Sequence, residues 1–281
     1  MTSFLGPVEE SGKPMKAIML AAGVGRRLYG DENDSLPKAL LRFDGVTLLA
    51  RNIEILLDLG IEELVLVVGH RKEDLLAEAV AQAPDGFIRS VFNRRYQEGP
   101  IVSLWTAGEE LRGGEETLFM DADVLYHPEM MRRLIRSPDE NCFVMDRDFE
   151  PGEEPVKLCL RDGKLVDFGK QVTGDYDEIG EWPGFLRMSA GISAKVADAA
   201  QVYMDDGTFE VTYEEAMRDV LHAEPEGTFG YEDITGIPWI EIDYPSDLMR
   251  AEKITFPQVT KYAPGEPIPA GLAIKNQALG E

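Results

Sequence analysis

The chain has 281 residues, 44% of them hydrophobic, enough to fill a sizeable core in one large α/β domain or two small ones. Its 28 basic and 52 acidic side chains leave a formal net charge of −24, which argues against nucleic acid or an anionic membrane as the principal partner. No apolar run approaches the roughly 20 residues of a membrane span, and the first residues lack the apolar core of a secretory signal, so a cytoplasmic location is the expectation. Residues 1–14 are polar with Gly and Pro and read as a flexible arm before a main domain at 15–255. Lys16 to Leu20 then ends in a short apolar run suited to a buried strand. Ala21, Ala22, Gly23, Val24 and Gly25 follow, small residues whose backbone N–H groups can approach a ligand closely. Arg26 and Arg27 set two permanent positive charges beside the glycines, and Lys38, after Pro37, adds a third. In so acidic a chain, gathered basic residues mark where negative charge would bind.

Together, LAAGVGRRL at 20–28 and PKALL at 37–41 resemble the signature of the nucleotidyltransferases that make nucleotide-activated sugars and alcohols, LAAGxGxRL followed by PKxLL. Two rival phosphate loops fit worse. The Walker pattern needs Gly-Lys-Ser/Thr, which is absent, and the dinucleotide fingerprint needs a third glycine where this chain has Leu28. The resemblance implies a nucleoside triphosphate held by the Leu20–Arg27 loop, with Arg26 on the triphosphate and Lys38 near the α-phosphate.

Thr47 to Leu59 has helical spacing, Glu63 to Val68 holds the continuous apolar run LVLVV of a strand covered on both faces, and Glu73 to Ala83 looks helical again. This order predicts a parallel sheet with right-handed crossovers. A strand is expected at Arg89 to Asn93, a loop at Gly99-Pro100 and a helix from Ser103 to Leu111. By resemblance this loop meets the base and ribose, Gly99 matches the glycine of the sugar nucleotidyltransferases, and Ser103 begins the family's Ser-Leu pair. Ile101 and Val102 stand where the phosphocholine branch has asparagines, a departure that bears on the acceptor. Thr117 to Met120 is read as a strand delivering Asp121 and Asp123 to the carboxyl end of the sheet, where α/β proteins place ligands. Two residues apart on an extended segment, both carboxylates could share one cation, or they could cap the helix expected at Pro128 to Ile135. The resemblance favours Asp123 as the metal ligand, with Asp121 second.

From Asn141 short strands and turns take over, including a hairpin of Val156–Leu160 and Leu165–Phe168 around Asp162-Gly163. A smaller β-rich lobe for the acceptor is expected over about 141–195. In it Lys170 matches a family lysine and Glu181 a Gly-Glu pair of the phosphocholine branch. Phe209 to His222 reads as a helix. IPWIEIDYPSD at 237–247 is similar to the family's closing motif, which returns the second metal carboxylate, here Asp243. Glu241 shares its strand face and is a reserve ligand or acceptor contact, while Asp247 is expected to cap the following helix. Residues 256–281 read as a tail, packed over the domain or against a second copy in a homo-oligomer. Cys142 and Cys159 lack metal-ligand spacing and read as reduced and buried, and Trp105, Trp182 and Tyr213 read as core residues before they read as a quaternary-ammonium site.

The whole resembles a Rossmann-like α/β nucleotidyltransferase, its mostly parallel sheet covered by helices on both faces, in the phosphocholine and phosphonate cytidylyltransferase branch. That implies Mg²⁺ on Asp123 and Asp243, CTP as donor, and a small phosphate or phosphonate acceptor held by Lys170, Glu181 and Glu241. Such an acceptor is already ionised near neutral pH and needs no general base, which suits a chain whose three histidines, His70, His127 and His222, form no nucleophile–base arrangement. A sugar 1-phosphate acceptor with UTP, dTTP or CTP is the runner-up, and a non-catalytic nucleotide-binding subunit is the alternative of another class.

Overall fold

The computed structural model describes residues 15–30, 35–149 and 152–259. The expected arm at 1–14 and the tail beyond 259 lie outside the described residues.

Strand and helix alternate through the first half, as the apolar periodicity requires. β1 (Met15–Ala21) runs into a loop and the short helix α1 (Arg26–Tyr29), and a ribbon of β2 (Arg42–Phe43) and β3 (Val46–Thr47) leads to α2 (Leu48–Asp58). The Thr47 hydroxyl caps α2 by accepting from the Ala50 N–H at 3.0 Å, a contact that typically contributes about 1 kcal/mol. β4 (Glu63–Val68) is buried from Leu64 to Val68, the physical reason for its unbroken apolar run. α3 (Lys72–Gln82) and β5 (Ile88–Phe92) follow. The helix expected at 103–111 starts earlier, with Pro100 in its first turn, and divides into α4 (Pro100–Thr106) and α5 (Gly108–Leu111). At the division the Thr106 hydroxyl donates back to the Val102 carbonyl at 2.6 Å, a bond that bends helices.

β6 (Glu116–Asp121), β7 (Val124–Tyr126), α6 (Pro128–Arg136) and β8 (Cys142–Met145) complete that half. Then come β9 (Lys157–Arg161), β10 (Lys164–Gly169), β11 (Glu178–Glu181), β12 (Phe185–Met188), α7 (Ala190–Asp205), α8 (Tyr213–Ala223), β13 (Gly230–Asp233), β14 (Trp239–Glu241), α9 (Pro245–Arg250) and α10 (Phe256–Val259).

The main sheet has seven strands in the order β13-β8-β12-β6-β1-β4-β5. β1 pairs in parallel with β4 and β6, β4 with β5, and β8 with β13, while β12 runs antiparallel to β6 and β8. This is the mostly parallel α/β sheet the chain order predicts. The separate lobe is smaller than 141–195. Its three-stranded antiparallel sheet holds β10, β9 and β11, whereas β8 and β12 belong to the main sheet and α7 begins at Ala190. Short apolar strands look alike in either sheet, because the choice depends on distant partners. The hairpin of β9 and β10 forms as read, with Asp162 and Gly163 at φ 51 and 74 in its tight turn.

Two apolar clusters hold the layers together. The larger follows the main sheet, and Cys142 and Cys159 are buried and free within their strands. The smaller joins Leu28, Phe43, Leu125, Ile240, Ile242 and Val259, so α1, β7, β14 and α10 pack as one unit. Phe256 adds to it, with its ring 5.7 Å from Phe43 and the Arg51 guanidinium 4.8 Å from its centroid. Residues 256–259, read as the start of a tail, therefore pack on the domain. No helix among the described residues is long and apolar enough to cross a membrane.

Candidate active site

The register of the parallel strands sets one edge for the site. Leu20 lies opposite Val67 on one side and Asp121 on the other, so β1, β4 and β6 end together. Beyond β1 the chain turns through Ala22–Gly25, and Gly25 takes φ 73 to enter α1, a backbone state costly for a residue with a Cβ. Buried Leu28 anchors that helix while Arg26 and Arg27 stay exposed. The loop forms one wall of a cleft of about 790 Å³. The cleft brings together the site residues named from sequence: Leu20, Ala21, Ala22, Gly23, Val24, Gly25, Arg26, Arg27, Lys38, Gly99, Ser103, Asp121, Asp123, Lys170, Glu181, Glu241 and Asp243 all border it.

Its charged centre comes from a short ladder. β14 pairs antiparallel with β7, Glu241 facing Val124, and the Ile242 N–H donates to the Asp123 carbonyl at 3.1 Å. This pairing carries Asp243 to Asp123. Oxygens of Asp123, Glu241 and Asp243 lie within 4.8 Å of one another. Lys38 donates to both aspartates, at 2.9 Å to Asp123 Oδ2 and 2.5 Å to Asp243 Oδ1. Burial disfavours the charged ammonium, but the two carboxylates outweigh it and raise the Lys38 pKa above its ordinary value. Asp243 is held below the usual carboxylate range against its own desolvation, by Lys38 and by Arg27, whose NH1 lies 2.9 Å from Oδ2. Glu241 shifts the other way. Desolvation within the cleft, then the charges of Asp123 and Asp243, push its carboxyl well up.

A family model described as a MobA-like NTP transferase domain matches residues 17–178. The chain belongs to this family. It is 30% identical over 243 residues to a bifunctional IPC transferase and DIPP synthase of Rubrobacter xylanophilus, covering 85% of this chain and 51% of that protein. It is 27% identical over 249 residues to a CMP-5'-(3-aminopropyl)phosphonate synthase of Streptomyces rubellomurinus, covering 85% and 38%. The chain thus spans about half, or less, of the length of these relatives. Its fold is similar to that of the CTP:phosphocholine cytidylyltransferase of Streptococcus pneumoniae, with a TM-score of 0.67, 24% identity and coverage of 86% of this chain and 99% of that one.

Within the NTP transferase cleft, Asp121 and the two loop arginines take distinct positions. Asp121 stands outside the group formed by Asp123, Glu241 and Asp243, since β6 ends at Asp121 and the chain bends before β7. Asp121 instead accepts from the Tyr213 hydroxyl, and desolvation followed by the charge of Asp123 pushes its carboxyl well above the ordinary range. Gly184, at φ 93, makes room there: a Cβ would lie 2.5 Å from Asp121 Oδ2. Of the two loop arginines, Arg27 reaches Asp243. Arg26 is exposed at the rim.

Glu154 stands in no motif, and Tyr244 stands in the closing motif without an expected role. Glu154 lies 3.2 Å from Arg27 NH1 and 3.4 Å from Lys170 Nζ, and it accepts from the Tyr244 hydroxyl at 3.4 Å. Buried Asn93, just past β5, donates to the Ser103 hydroxyl at 3.1 Å and holds that side of the loop. Gly99 abuts the Phe209 carbonyl, which leaves no room for a Cβ. Asp247 caps α9 as read, accepting from the N–H groups of Asp243 at 3.1 Å and Tyr244 at 2.8 Å, which also fixes the backbone that carries Asp243. His70 bonds the Ser35 carbonyl, His127 caps α6 and His222 sits on Asp167, each a structural position.

Proposed function

We propose that this NTP transferase is a cytidylyltransferase that uses Mg²⁺ to transfer CMP from CTP to a small phosphorylated or phosphonylated alcohol or amine, releasing pyrophosphate. The observation that carries the reading is Lys38 bonded to both Asp123 and Asp243 beside the glycine loop. A cation already bridges these carboxylates in the free protein, and three carboxylates with oxygens within 4.8 Å form the hard-oxygen donor set that suits Mg²⁺. The relative named as a CMP-phosphonate synthase supports the choice of nucleotide and acceptor class.

An acceptor phosphate or phosphonate oxygen attacks the α-phosphorus of CTP, and the bond from that phosphorus to the β-phosphate oxygen breaks. The acceptor oxygen is already ionised, a phosphate ester's second pKa being about 6, so no side chain need remove a proton. When bound by Asp123 and Asp243, Mg²⁺ supplies charge neutralisation at the phosphoryl oxygens. Lys38, kept protonated by its two carboxylates, is placed to meet charge developing at the α-phosphate. The backbone of Ala22–Gly25 and the Arg27 guanidinium receive the triphosphate, and Lys170, across the cleft, orients the acceptor anion. Two mutually repelling anions are thereby held in line, which is most of what phosphoryl transfer asks of a protein.

Pyrophosphate release with Mg²⁺, measured for CTP, UTP, GTP and dTTP against phosphocholine, 2-aminoethylphosphonate, 2-hydroxyethylphosphonate and sugar 1-phosphates, tests the reading. Release with CTP and a small alkyl acceptor is expected. Release confined to UTP or dTTP with a sugar phosphate would replace it by a sugar nucleotidyltransferase.

A further inference from the structure

Glu154 comes from the connection between β8 and β9, and its carboxylate reaches Arg27 at the end of the glycine loop. Its Oε2 lies 3.2 Å from Arg27 NH1 and 3.4 Å from Lys170 Nζ, while Oε1 accepts from the Tyr244 hydroxyl at 3.4 Å. All four side chains border the cleft. One internal anion thus stands between the two cations to which the proposed function assigns the triphosphate and the acceptor.

The backbone beside Glu154 is fixed. The Lys157 ammonium donates to the carbonyls of Pro155 at 3.1 Å and Lys170 at 2.7 Å, clamping the two chain segments together. The Trp182 N–H holds the Val156 carbonyl at 2.7 Å. The Glu154 side chain itself is 57% exposed and that of Arg27 47%, so their bond forms at the solvent side of the cleft, where ion pairs are weak enough to be exchanged. Arg27 is also held by Asp243 at 2.9 Å, a contact that does not depend on Glu154. A carboxylate cannot share these cations with a triphosphate without like-charge repulsion at contact distance.

We propose that Glu154 is a placeholder for substrate phosphate: its carboxylate neutralises Arg27 and Lys170 in the free protein, and an entering phosphate chain takes its place and turns it out toward solvent. This rests on the proposed function for a triphosphate at Arg27 and uses neither the cytosine nor the class of acceptor. An uncharged ligand has no means of displacing the carboxylate, so the exchange admits anions selectively. Removing the carboxylate tightens anion binding, whereas loss of a merely structural contact would weaken it.

Calorimetric binding of inorganic tripolyphosphate to the whole protein, at fixed Mg²⁺ and physiological salt, tests this. Glu154→Gln and Glu154→Ala should each bind it roughly fivefold tighter than the wild type, the scale of one or two exposed ion pairs. Glu153→Gln controls for charge alone, since Glu153 borders the same cleft and, among the described residues, bonds neither Arg27 nor Lys170. It should change the affinity less than about twofold at a Debye length of about 8 Å. In an Arg27→Ala background the gain from Glu154→Gln should shrink. Unchanged or weaker binding in both Glu154 variants, an equal gain from Glu153→Gln, a gain undiminished without Arg27, or no binding to any of these proteins would overturn the proposal. Pyrophosphate release is scored separately. Tighter tripolyphosphate binding without release from CTP and any acceptor would sink the cytidylyltransferase reading and leave the placeholder standing, while release from CTP with unchanged tripolyphosphate affinity would do the reverse.

Discussion

Lys38 balances two carboxylates, and a metal ion would compete with it for the same oxygens. Replacing it should therefore separate binding from turnover. In Lys38→Ala, pyrophosphate release should fall by at least about 10²–10³-fold, as when a transition-state donor is removed, while calorimetric Mg²⁺ affinity tightens because the internal competitor is gone. Unchanged turnover would remove Lys38 from the chemistry. Asp123→Asn should likewise abolish turnover without unfolding the chain, and Asp121→Asn should be milder, because Asp121 faces Tyr213 and stands outside the three-carboxylate group. Steady-state rates that ranked the two aspartates in reverse would move the metal to Asp121. Arg27→Ala should cost more activity than Arg26→Ala, since Arg27 is the arginine that touches Asp243.

The contact of β10 with α8 offers a test of how the small sheet is held. Asp167, at the inner face of β10, is 3% exposed and receives Arg218 at 2.8 and 3.0 Å together with the N–H groups of Phe168 and Thr173. Burial alone would raise its carboxyl, yet Arg218 and the two amides hold it below the ordinary range. A depressed native value means stability that is present above the unfolded pKa of about 3.9 and is lost as the pH falls through the native value. Asp167→Asn should destabilise the protein by roughly 3 kcal/mol at neutral pH, because Arg218 loses its buried partner. Denaturant melts should show that deficit narrowing below about pH 3.9 as the wild-type carboxylate is protonated. The elements that frame this contact differ in how far the sequence reveals them. β4 is legible from Leu64–Val68, because burial on both faces leaves a local apolar run, and the β9–β10 turn is legible from Asp162-Gly163. That β12 joins β6 and β8 in the main sheet is not, since strand partnership between distant segments leaves no local trace. The site divides in the same way. Asp123, Asp243 and Lys38 stand in motifs, whereas Glu154 and the Tyr213–Asp121 bond arise where loops and helices meet.

Across the whole molecule the formal charge of −24 opposes compaction, and the cleft concentrates part of it. The thermal midpoint should rise with sodium chloride over the range in which the Debye length falls from about 30 Å to about 10 Å. A flat response would show that the acidic groups are already compensated within the fold. One structural relation also governs when the site can exist. Lys38 and Asp243 are 205 positions apart, and they meet through the pairing of β14 with β7. During synthesis, the glycine loop and both strands flanking β1 emerge long before residue 243. A ribosome-bound chain at that stage holds Lys38 with Asp123 as its one available carboxylate of the pair. Under the proposed function, competence to bind a metal–nucleotide complex therefore arrives late in translation, when the closing strand docks, because of the order in which the site's own residues are made.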